Sequence, residues 1–289
     1  MPWHLTRDLA AFNATAAPFV TADPVENTLF TSIMAMLGRR GLGAFSNHPP
    51  HFGWYEGESG QVEAVFLQTP PHPVRLSAAA DSVARELADA LARGHSRDQG
   101  GHAQVSGIGG PVQAAEAFVA RWCELTGATA AIQMRLRLHR LGTLTVPEPG
   151  PPGRARVAEA ADRELLVAWC RDFAEDAKEG NGDFERMVDG RIEYGGLTLW
   201  ETGGQAVSMA GATRLIEGTV RVAPVYTPKQ LRGRGFAGAV TAAVSQAALD
   251  AGARDVVLFT DLANPTSNAL YHRLGYRPVG DQVDYRFVY

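Results

Sequence analysis

Apolar and polar positions along the first half of the chain alternate between the period of a helix and that of a strand. Val83, Leu87, Ala90 and Leu91 fall on one helical face, because residues three and four apart lie on the same side of a helix. From Ile132 onward, apolar and polar residues take turns, which is typical of a half-buried strand. This half therefore predicts helices over 24–38, 83–94 and 112–125, and strands over 53–57, 61–67 and 131–138.

The second half repeats that order. Val240, Val244 and Ala247 form one helical face before a stop at Gly252, and 256–260 is a continuous apolar run, typical of a strand buried on both faces. The pattern predicts helices over 164–174, over 236–251 and from Pro265 onward, and strands over 197–200, 206–210, 220–222 and 256–260, with a final pair over 276–289. Alternating strands and helices indicate an α/β sheet covered by helices, and the shared order favours a divergent duplication.

A segment rich in proline and glycine separates the two halves. Residues 146–153 contain four prolines and two glycines, which break both helices and the hydrogen-bond ladders of sheets. The sequence therefore predicts one domain over 1–146, a stiff exposed linker over 147–153 and a second domain over 154–289. Each half has an ordinary domain length.

Composition and charge narrow the classes of function. The 289 residues are 45% hydrophobic and 20% charged, with a formal net charge of −4, so no broad cationic surface is available and nucleic acid is not an expected partner. Cys123 and Cys170 are far apart in sequence, which argues against a disulfide framework or a zinc site, and no metal is expected. No apolar run is long enough to span a bilayer, and the N-terminus is charged where a secretory signal is apolar. We therefore expect a cytoplasmic protein without a membrane partner.

The segment 230–235, with the sequence Gln-Leu-Arg-Gly-Arg-Gly, lies between a predicted strand and a predicted helix. Gly233 and Gly235 permit a tight turn and a close approach of the backbone to a ligand. The amides that open the following helix have no partner within the helix, and together with its dipole they form a site for a diphosphate. Arg232 and Arg234 add positive charge beside that site.

These glycines fit two kinds of nucleotide-binding loop. With Gly238 they complete the G-x-G-x-x-G spacing of dinucleotide folds, but the acidic residue that should end a second strand about 20 residues later is missing. Over 225–237 the chain instead resembles the acetyl-CoA loop of the GCN5-related N-acetyltransferase (GNAT) superfamily, Q/R-x-x-G-x-G/A, which Gln230, Gly233 and Gly235 match. In that family the loop amides hold the pyrophosphate of CoA, and the preceding strand pairs with its pantetheine arm.

A second run of residues carries the same resemblance. Asn264 suits a helix N-cap and Pro265 the first helical position, and Asn264, Ser267, Asn268 and Tyr271 share one helical face. The string N-P-x-S-N-x-L-Y-x-R-L-G-Y, which begins at Asn264, closely resembles the last motif of the GNAT superfamily. In these enzymes the asparagine contacts the CoA arm and the tyrosine faces the thioester sulfur.

The resemblance implies a fold, a ligand and a reaction. Each domain would be a mixed, mostly antiparallel, twisted sheet flanked by helices. The second domain would transfer an acetyl group from acetyl-CoA to an amine, most simply that of a small molecule, with Tyr271 as the catalytic residue. The residues that this resemblance assigns to acetyl-CoA are Val225, Tyr226, Thr227, Gln230, Leu231, Arg232, Gly233, Arg234, Gly235, Phe236, Ala237, Asn264, Ser267, Asn268 and Tyr271.

The expected mechanism begins when a neutral amine attacks the thioester carbonyl. Free strand amides near Val225 and Tyr226 would stabilise the oxyanion, and Tyr271 would donate a proton to the departing thiolate. The general base cannot be identified from the sequence: Glu217 and Glu201 are candidates, and a chain of water molecules would serve as well.

The first half carries neither motif. Residues 69–77 lack paired glycines where the loop should stand, and the glycine-rich run 106–110 is expected to turn a strand into a helix rather than to hold phosphate. We therefore expect a degenerate GNAT-like domain that helps to wall the acceptor pocket, as in tandem members of the superfamily such as the mycothiol synthases. A CoA-binding protein without catalysis and a protein-lysine acetyltransferase stay open as alternatives, and so does a homodimer.

Overall fold

The computed structural model describes residues 3–95, 105–177 and 182–289, which fold into two compact units. The first unit comprises Met1–Leu138, Asp261–Ala263 and Val279–Tyr289, and the second comprises His139–Thr260 and Asn264–Pro278. These divisions differ from the predicted boundaries at 146 and 154. The chain enters the second unit at His139, and its last residues pair with a strand of the first unit.

The first unit contains a sheet that is antiparallel except at one pair of strands. Its elements are β1 (Trp3–Thr6), α1 (Leu9–Ala22), α2 (Thr28–Arg40), β2 (His51–Glu56), β3 (Val62–Gln68), β4 (Val74–Leu76), α3 (Asp81–His95), β5 (Gly107–Pro111), α4 (Val112–Thr126) and most of β6 (Thr129–Leu141). The strands lie in the order β1-β2-β3-β4-β5, and only β4 and β5 are parallel to each other. Residues 282–286 of the last strand, β12 (Tyr276–Val288), continue this sheet antiparallel to β5.

Helices cover both faces of this sheet. Along β3, Ala64 and Phe66 belong to the apolar cluster beneath α3 and α4, whereas Val65 and Leu67 belong to the cluster beneath α1 and α2. Alternate side chains of a strand point to opposite faces, so β3 reads as a nearly continuous apolar run.

The second unit has the same plan. Its elements are the end of β6, β7 (Arg154–Val157), α5 (Arg163–Asp176), α6 (Phe184–Ile192), β8 (Leu197–Thr202), β9 (Gln205–Ala212), β10 (Thr219–Tyr226), α7 (Phe236–Asp250), β11 (Asp255–Asp261), α8 (Pro265–Arg273) and the start of β12. Strands β7 to β10 follow one another antiparallel, and β10 is parallel to β11. Met209 packs under α5 and α6 and Ala210 under α7 and α8, so helices cover both faces here too.

The two units share one order of elements. From β1 to β6 and from β7 to β12, each runs strand, two helices, three strands, helix, strand, helix, strand. In the first unit β4 is parallel to β5, and in the second unit β10 is parallel to β11. Each pair joins the last of three consecutive strands to the strand that follows the next helix. The predicted fold class, a mixed and mostly antiparallel sheet flanked by helices, is confirmed, and the matching order agrees with a divergent duplication.

The end of the chain differs from its prediction. Residues 276–288 form the single strand β12 and not a pair of strands. Val283, Tyr285 and Phe287 are buried in the core of the first unit, and this packing, with the ladder to β5, overrides the turn tendency of Gly280. The elements β4, β7 and α6 are too short for their apolar and polar residues to show a recognisable repeat in the sequence.

The proline-rich segment belongs to the second unit. Residues 142–153 contain neither helix nor strand, but the amides of Gly142 and Thr145 donate to the carbonyls of Gly275 and Leu274, each at 3.0 Å. The residues that lead into the proline-rich segment are therefore hydrogen-bonded to the second unit.

Two kinds of feature are absent from the described residues. None of the described helices is both long enough and apolar enough to cross a bilayer. Within the same part of the chain, no three His, Cys, Asp or Glu side chains are grouped so that they could hold a metal ion.

Candidate functional site

The central feature of the second unit is a divergence of its two parallel strands. β10 runs to Tyr226 and β11 to Asp261, yet the two pair only over residues 219–221 of β10. The register between β10 and β9 shifts between Val222 and Val225, which indicates a bulge beside Pro224, a residue that strands accept at bulges. Beyond the bulge, β10 pairs with β9 and with no second strand of the described residues, so the backbone of its other edge is open to a ligand.

A partly buried arginine and a glycine hold this bulge. The Arg191 guanidinium of α6 donates a hydrogen bond to the carbonyl of Ala223, and burial lowers the pKa of Arg191 below its usual range. A Cβ on Gly211 would lie 2.5 Å from the Ala223 carbonyl oxygen and 3.0 Å from Cδ of Pro224, so only glycine fits there. The sequence did not indicate either role, because neither residue belongs to a recognisable motif.

We expect Arg191→Met to lower the free energy of unfolding by about 2 kcal/mol, because the Ala223 carbonyl loses a charged donor. Arg171→Met is the matched control: Arg171 pairs with Glu185 at the surface, where such pairs contribute at most about 1 kcal/mol. Urea denaturation of both variants measures the difference. Equal losses would contradict a supporting role for Arg191 at the bulge.

The end of β10 is fixed by hydrogen bonds to β9 and α5. The Ser208 hydroxyl donates to the Tyr226 carbonyl at 3.0 Å and lies 2.8 Å from the Thr227 hydroxyl. The Tyr226 phenol is packed beneath α5 and donates to Asp172 at 3.1 Å. Burial and, to a smaller extent, the Asp172 carboxylate raise the pKa of this phenol. Tyr226 therefore offers its backbone, and not its side chain, to a ligand at the open edge of β10.

The predicted phosphate loop has the backbone conformation that its glycines were expected to provide. After a 3₁₀ turn over Lys229–Leu231, Gly233 and Gly235 have φ values of 77° and 84°, in the left-handed region that other residues disfavour. None of the described side chains caps the N-terminus of α7. A Cβ on Gly233 would meet no described atom within 4 Å, so the space beside the loop is open. Unpaired amides and the positive end of α7 together form an anion site.

The charged residues of the loop do not all face such a ligand. Arg232 donates to the Thr227 carbonyl at 2.9 Å and to Asp176 at 2.5 Å, and Lys229 pairs with the same carboxylate at 3.0 Å. These two cations lower the pKa of Asp176. Arg232, expected to add charge beside the phosphate site, is instead a brace between the loop and α5. Arg234 donates only to the Gln230 carbonyl at 3.3 Å among the described residues, and so keeps an uncompensated charge.

Helix α8 begins as the sequence predicts. The Asn264 side chain accepts from the Ser267 amide at 3.1 Å, and Pro265 occupies the first turn. The Asn268 side chain donates to the Asn264 carbonyl at 2.8 Å. Asn264 is exposed, Ser267 and Asn268 are half-buried and Tyr271 is buried, so the four residues share one face but pass from solvent into the core.

A series of hydrogen bonds connects β6 and β11 to α8. The sequence did not indicate these bonds. The hydroxyl of Thr260, at the end of β11, donates to Oδ1 of Asn268 at 2.7 Å. Nε2 of the buried His139 lies 3.1 Å from the same hydroxyl. Because the Thr260 proton is directed at the Asn268 oxygen, which can only accept, Nε2 of His139 must be the donor. A lone histidine in a strand gave no sequence signal for this role.

Tyr271 lies in the apolar core of the second unit. It is 8% exposed, and its ring packs edge-on against Tyr276, with ring centroids 6.0 Å apart. No described residue forms a hydrogen bond with its hydroxyl. Burial raises its pKa above the ordinary value, so the phenol stays protonated throughout the neutral range. A protonated phenol in this position can donate to a ligand.

The buried phenol of the neighbouring Tyr276 should make the free energy of unfolding depend on pH. Burial raises its pKa to about 12, and its hydroxyl lies 2.7 Å from that of Ser245. Since the folded-state pKa exceeds the ordinary value of 10.0, the stabilisation is complete below that value and is lost as the pH rises towards about 12. We expect the free energy of unfolding to decline over this range, and to decline less steeply in Tyr276→Phe. Urea titrations of both proteins at several alkaline pH values test this, and identical slopes would contradict it.

The two candidate general bases lie in different surroundings. Glu201 accepts from Arg156 at 2.5 Å, and Arg156 also binds Asp162 at 2.7 and 2.8 Å. This network holds Glu201 as a structural partner of Arg156. Glu217 is an exposed turn residue with a φ of 49°.

Comparisons with known proteins agree with this geometry. The model of the acetyltransferase (GNAT) family matches residues 158–276. No curated protein matches the chain. Among solved structures, a GCN5-related N-acetyltransferase from Sphaerobacter thermophilus is 16% identical with a TM-score of 0.64, and the match covers 98% of this chain and 95% of that one.

Two further structures match along their whole length. A Drosophila protein is 15% identical with a TM-score of 0.68, covering 99% of this chain and 98% of its own. A GNAT-family acetyltransferase from Colwellia psychrerythraea is 12% identical with a TM-score of 0.59, covering 99% of both chains. At these identities the similarity establishes the fold alone. The family match itself extends over residues 158–276, the segment that is similar to the acetyltransferase (GNAT) family.

Proposed function

We propose that the chain is an acetyl-CoA-dependent N-acetyltransferase that acetylates the amine of a small molecule, with its catalytic centre in the second unit. One observation carries the proposal: the uncapped N-terminus of α7 follows two left-handed glycines at the end of a strand with an open edge. The N-terminus of the helix suits a diphosphate, and the open edge of the strand beside it suits an extended arm joined to that diphosphate. The family match over 158–276 supports the same ligand.

In this proposal the donor lies along β10 and across the start of α7. The amides from Leu231 to Ala237 bind the diphosphate, and Arg234 adds the charge that Arg232 does not supply. The backbone of 225–227 pairs with the pantetheine arm, because the strand lacks a ladder there. Asn264, Ser267 and Asn268 border the arm from α8.

The chemistry needs a fixed donor, an oxyanion site and an acid. The amine attacks the thioester carbonyl, and backbone amides past the β10 bulge stabilise the oxyanion without reorganising. The carbon–sulfur bond then breaks, Tyr271 protonates the thiolate of CoA, and the proton that the attacking nitrogen releases restores the phenol through solvent. The burial that raises the pKa of Tyr271 keeps its phenol protonated until the thiolate departs.

The first unit repeats the fold without the loop. We propose that it is a degenerate GNAT-like domain of a tandem protein. The parallel pair β4 and β5 is present, but the glycines of β5 serve packing: a Cβ on Gly110 would lie 2.5 Å from the Leu76 carbonyl oxygen, and one on Gly107 would strike the Tyr285 carbonyl. Their roles agree with the expectation that 106–110 does not hold phosphate.

The proposal is tested by measuring CoA release with a thiol reagent across a panel of small amines. We expect acetyl-CoA to bind in calorimetry and at least one amine to release CoA above the rate of hydrolysis, with Tyr271→Phe as the inactive control. Acetyl-CoA binding with no amine-dependent release from any amine or lysine peptide would instead identify a binding protein without catalysis.

A further inference from the structure

The first unit contains a cavity of about 270 Å³ that none of the proposed chemistry uses. It lies between the N-terminus of α2, the ends of β4 and β5, and the segment 280–282 of β12. Its apolar wall is formed by Leu29, Phe30, Leu76 and Leu138. The volume is close to the lower end of ordinary ligand pockets, which suits a compact molecule.

Two buried amide side chains line this cavity without a partner in the described part of the chain. Asn27 is 7% exposed and Gln282 is 8% exposed. Asn27 stands at the N-cap position of α2, yet its side chain makes no capping hydrogen bond. None of the described residues forms a hydrogen bond with the side-chain amide of Asn27 or Gln282. Buried polar groups are normally paired, so two such amides on one cavity indicate a ligand that pairs with them.

Two of the three described charged side chains that line the cavity, Arg75 and Asp281, are paired with a charge of opposite sign. The Arg75 guanidinium binds both carboxylate oxygens of Asp284, at 2.7 and 3.0 Å, and that of Arg137 binds both of Asp281, at 2.6 and 2.8 Å. Glu26 is exposed at the cavity wall. The buried part of the cavity therefore offers donors and acceptors without a net charge, beside an apolar surface.

We propose that this cavity binds a small uncharged molecule with an amide group and a compact apolar body. A primary amide supplies a carbonyl acceptor and N–H donors on one edge, and the side-chain amides of Asn27 and Gln282 are complementary to both. A charged ligand would have to leave water for a site whose described ionic side chains, apart from the exposed Glu26, are already paired, and is disfavoured. The proposal is independent of acetyl transfer.

Benzamide and methyl benzoate form a matched pair of probes, because the ester has a similar shape but lacks the donors. We expect benzamide to bind the full chain with a millimolar Kd in ligand-observed NMR, and the ester to bind at least about tenfold more weakly. The side-chain amide signals of Asn27 and Gln282 in ¹⁵N-labelled protein should shift on addition of benzamide. Equal binding of the two probes, or unmoved amide signals, would overturn the proposal.

Variants add a second readout. Asn27→Leu and Gln282→Met should each weaken benzamide binding at least about tenfold, whereas Gln61→Met, at an exposed position of the same unit, should leave it unchanged. Both cavity variants should keep or raise the melting temperature, because each removes a buried amide that lacks a partner among the described residues. A lower melting temperature in both would show that the amides are needed for packing, and would overturn the assignment to a ligand.

Discussion

Gly233→Val should weaken acetyl-CoA binding by at least about 100-fold, which corresponds to about 2.8 kcal/mol. The φ of 77° at this position is strained for a β-branched residue. The new side chain would also enter the open space beside the loop, where a Cβ would meet no described atom within 4 Å. Displacing the diphosphate from two or three amides removes charged hydrogen bonds, which are worth about 1.5–3 kcal/mol each. Calorimetry with acetyl-CoA measures the loss.

Gly252→Val separates the loss of the ligand from the strain of the backbone. Gly252 follows α7 at its other end and has a φ of 90°, and a Cβ added there would likewise meet no described atom within 4 Å. The substitution imposes the same kind of strain beside the same helix, at the end opposite the loop. We expect this variant to be less stable but to bind acetyl-CoA as the parent does. Retained binding in Gly233→Val would remove the loop from the site.

Tyr271→Phe should lower kcat by about 100-fold or more, in the range that general-acid catalysis contributes. The ring is packed in the core and its hydroxyl has no protein partner among the described residues, so loss of the oxygen leaves the packing intact. The Kd for acetyl-CoA should stay within about twofold, because the phenol acts on the departing sulfur and not on the diphosphate. Steady-state kinetics and calorimetry together give this separation.

Tyr276→Phe is the control for that substitution. Tyr276 is also buried, touches the Tyr271 ring and shares a hydrogen bond with Ser245 within the core. Its loss should affect stability at high pH and leave kcat unchanged. If both variants turn over at the parent rate, Tyr271 has no part in the chemistry. If both fall alike, its effect is one of packing.

The sequence predicts the parts of the fold that rest on local rules. The start of α8 follows from Asn264 and Pro265, and the left-handed turns follow from Gly233 and Gly235. In each case the backbone of a few adjacent residues decides the outcome. The assignment of these residues to acetyl-CoA stays a prediction.

What the sequence could not predict depends on residues that are distant along the chain. Asp176 of α5 pairs with Arg232 of the loop, and Arg191 of α6 donates a hydrogen bond to the bulge of β10. His139 supports α8 through a hydrogen bond to Thr260. The pairing of β12 with β5 joins two strands that most of the chain separates in sequence. No period or local motif encodes such contacts, so they appear only when the chain is folded.

A crystal structure with acetyl-CoA bound is the most direct test of the central claim. We predict that its diphosphate accepts hydrogen bonds from the amides at the start of α7, and that its thioester sulfur lies within hydrogen-bonding reach of the Tyr271 hydroxyl. A diphosphate bound elsewhere, or a sulfur directed away from Tyr271, would contradict the account.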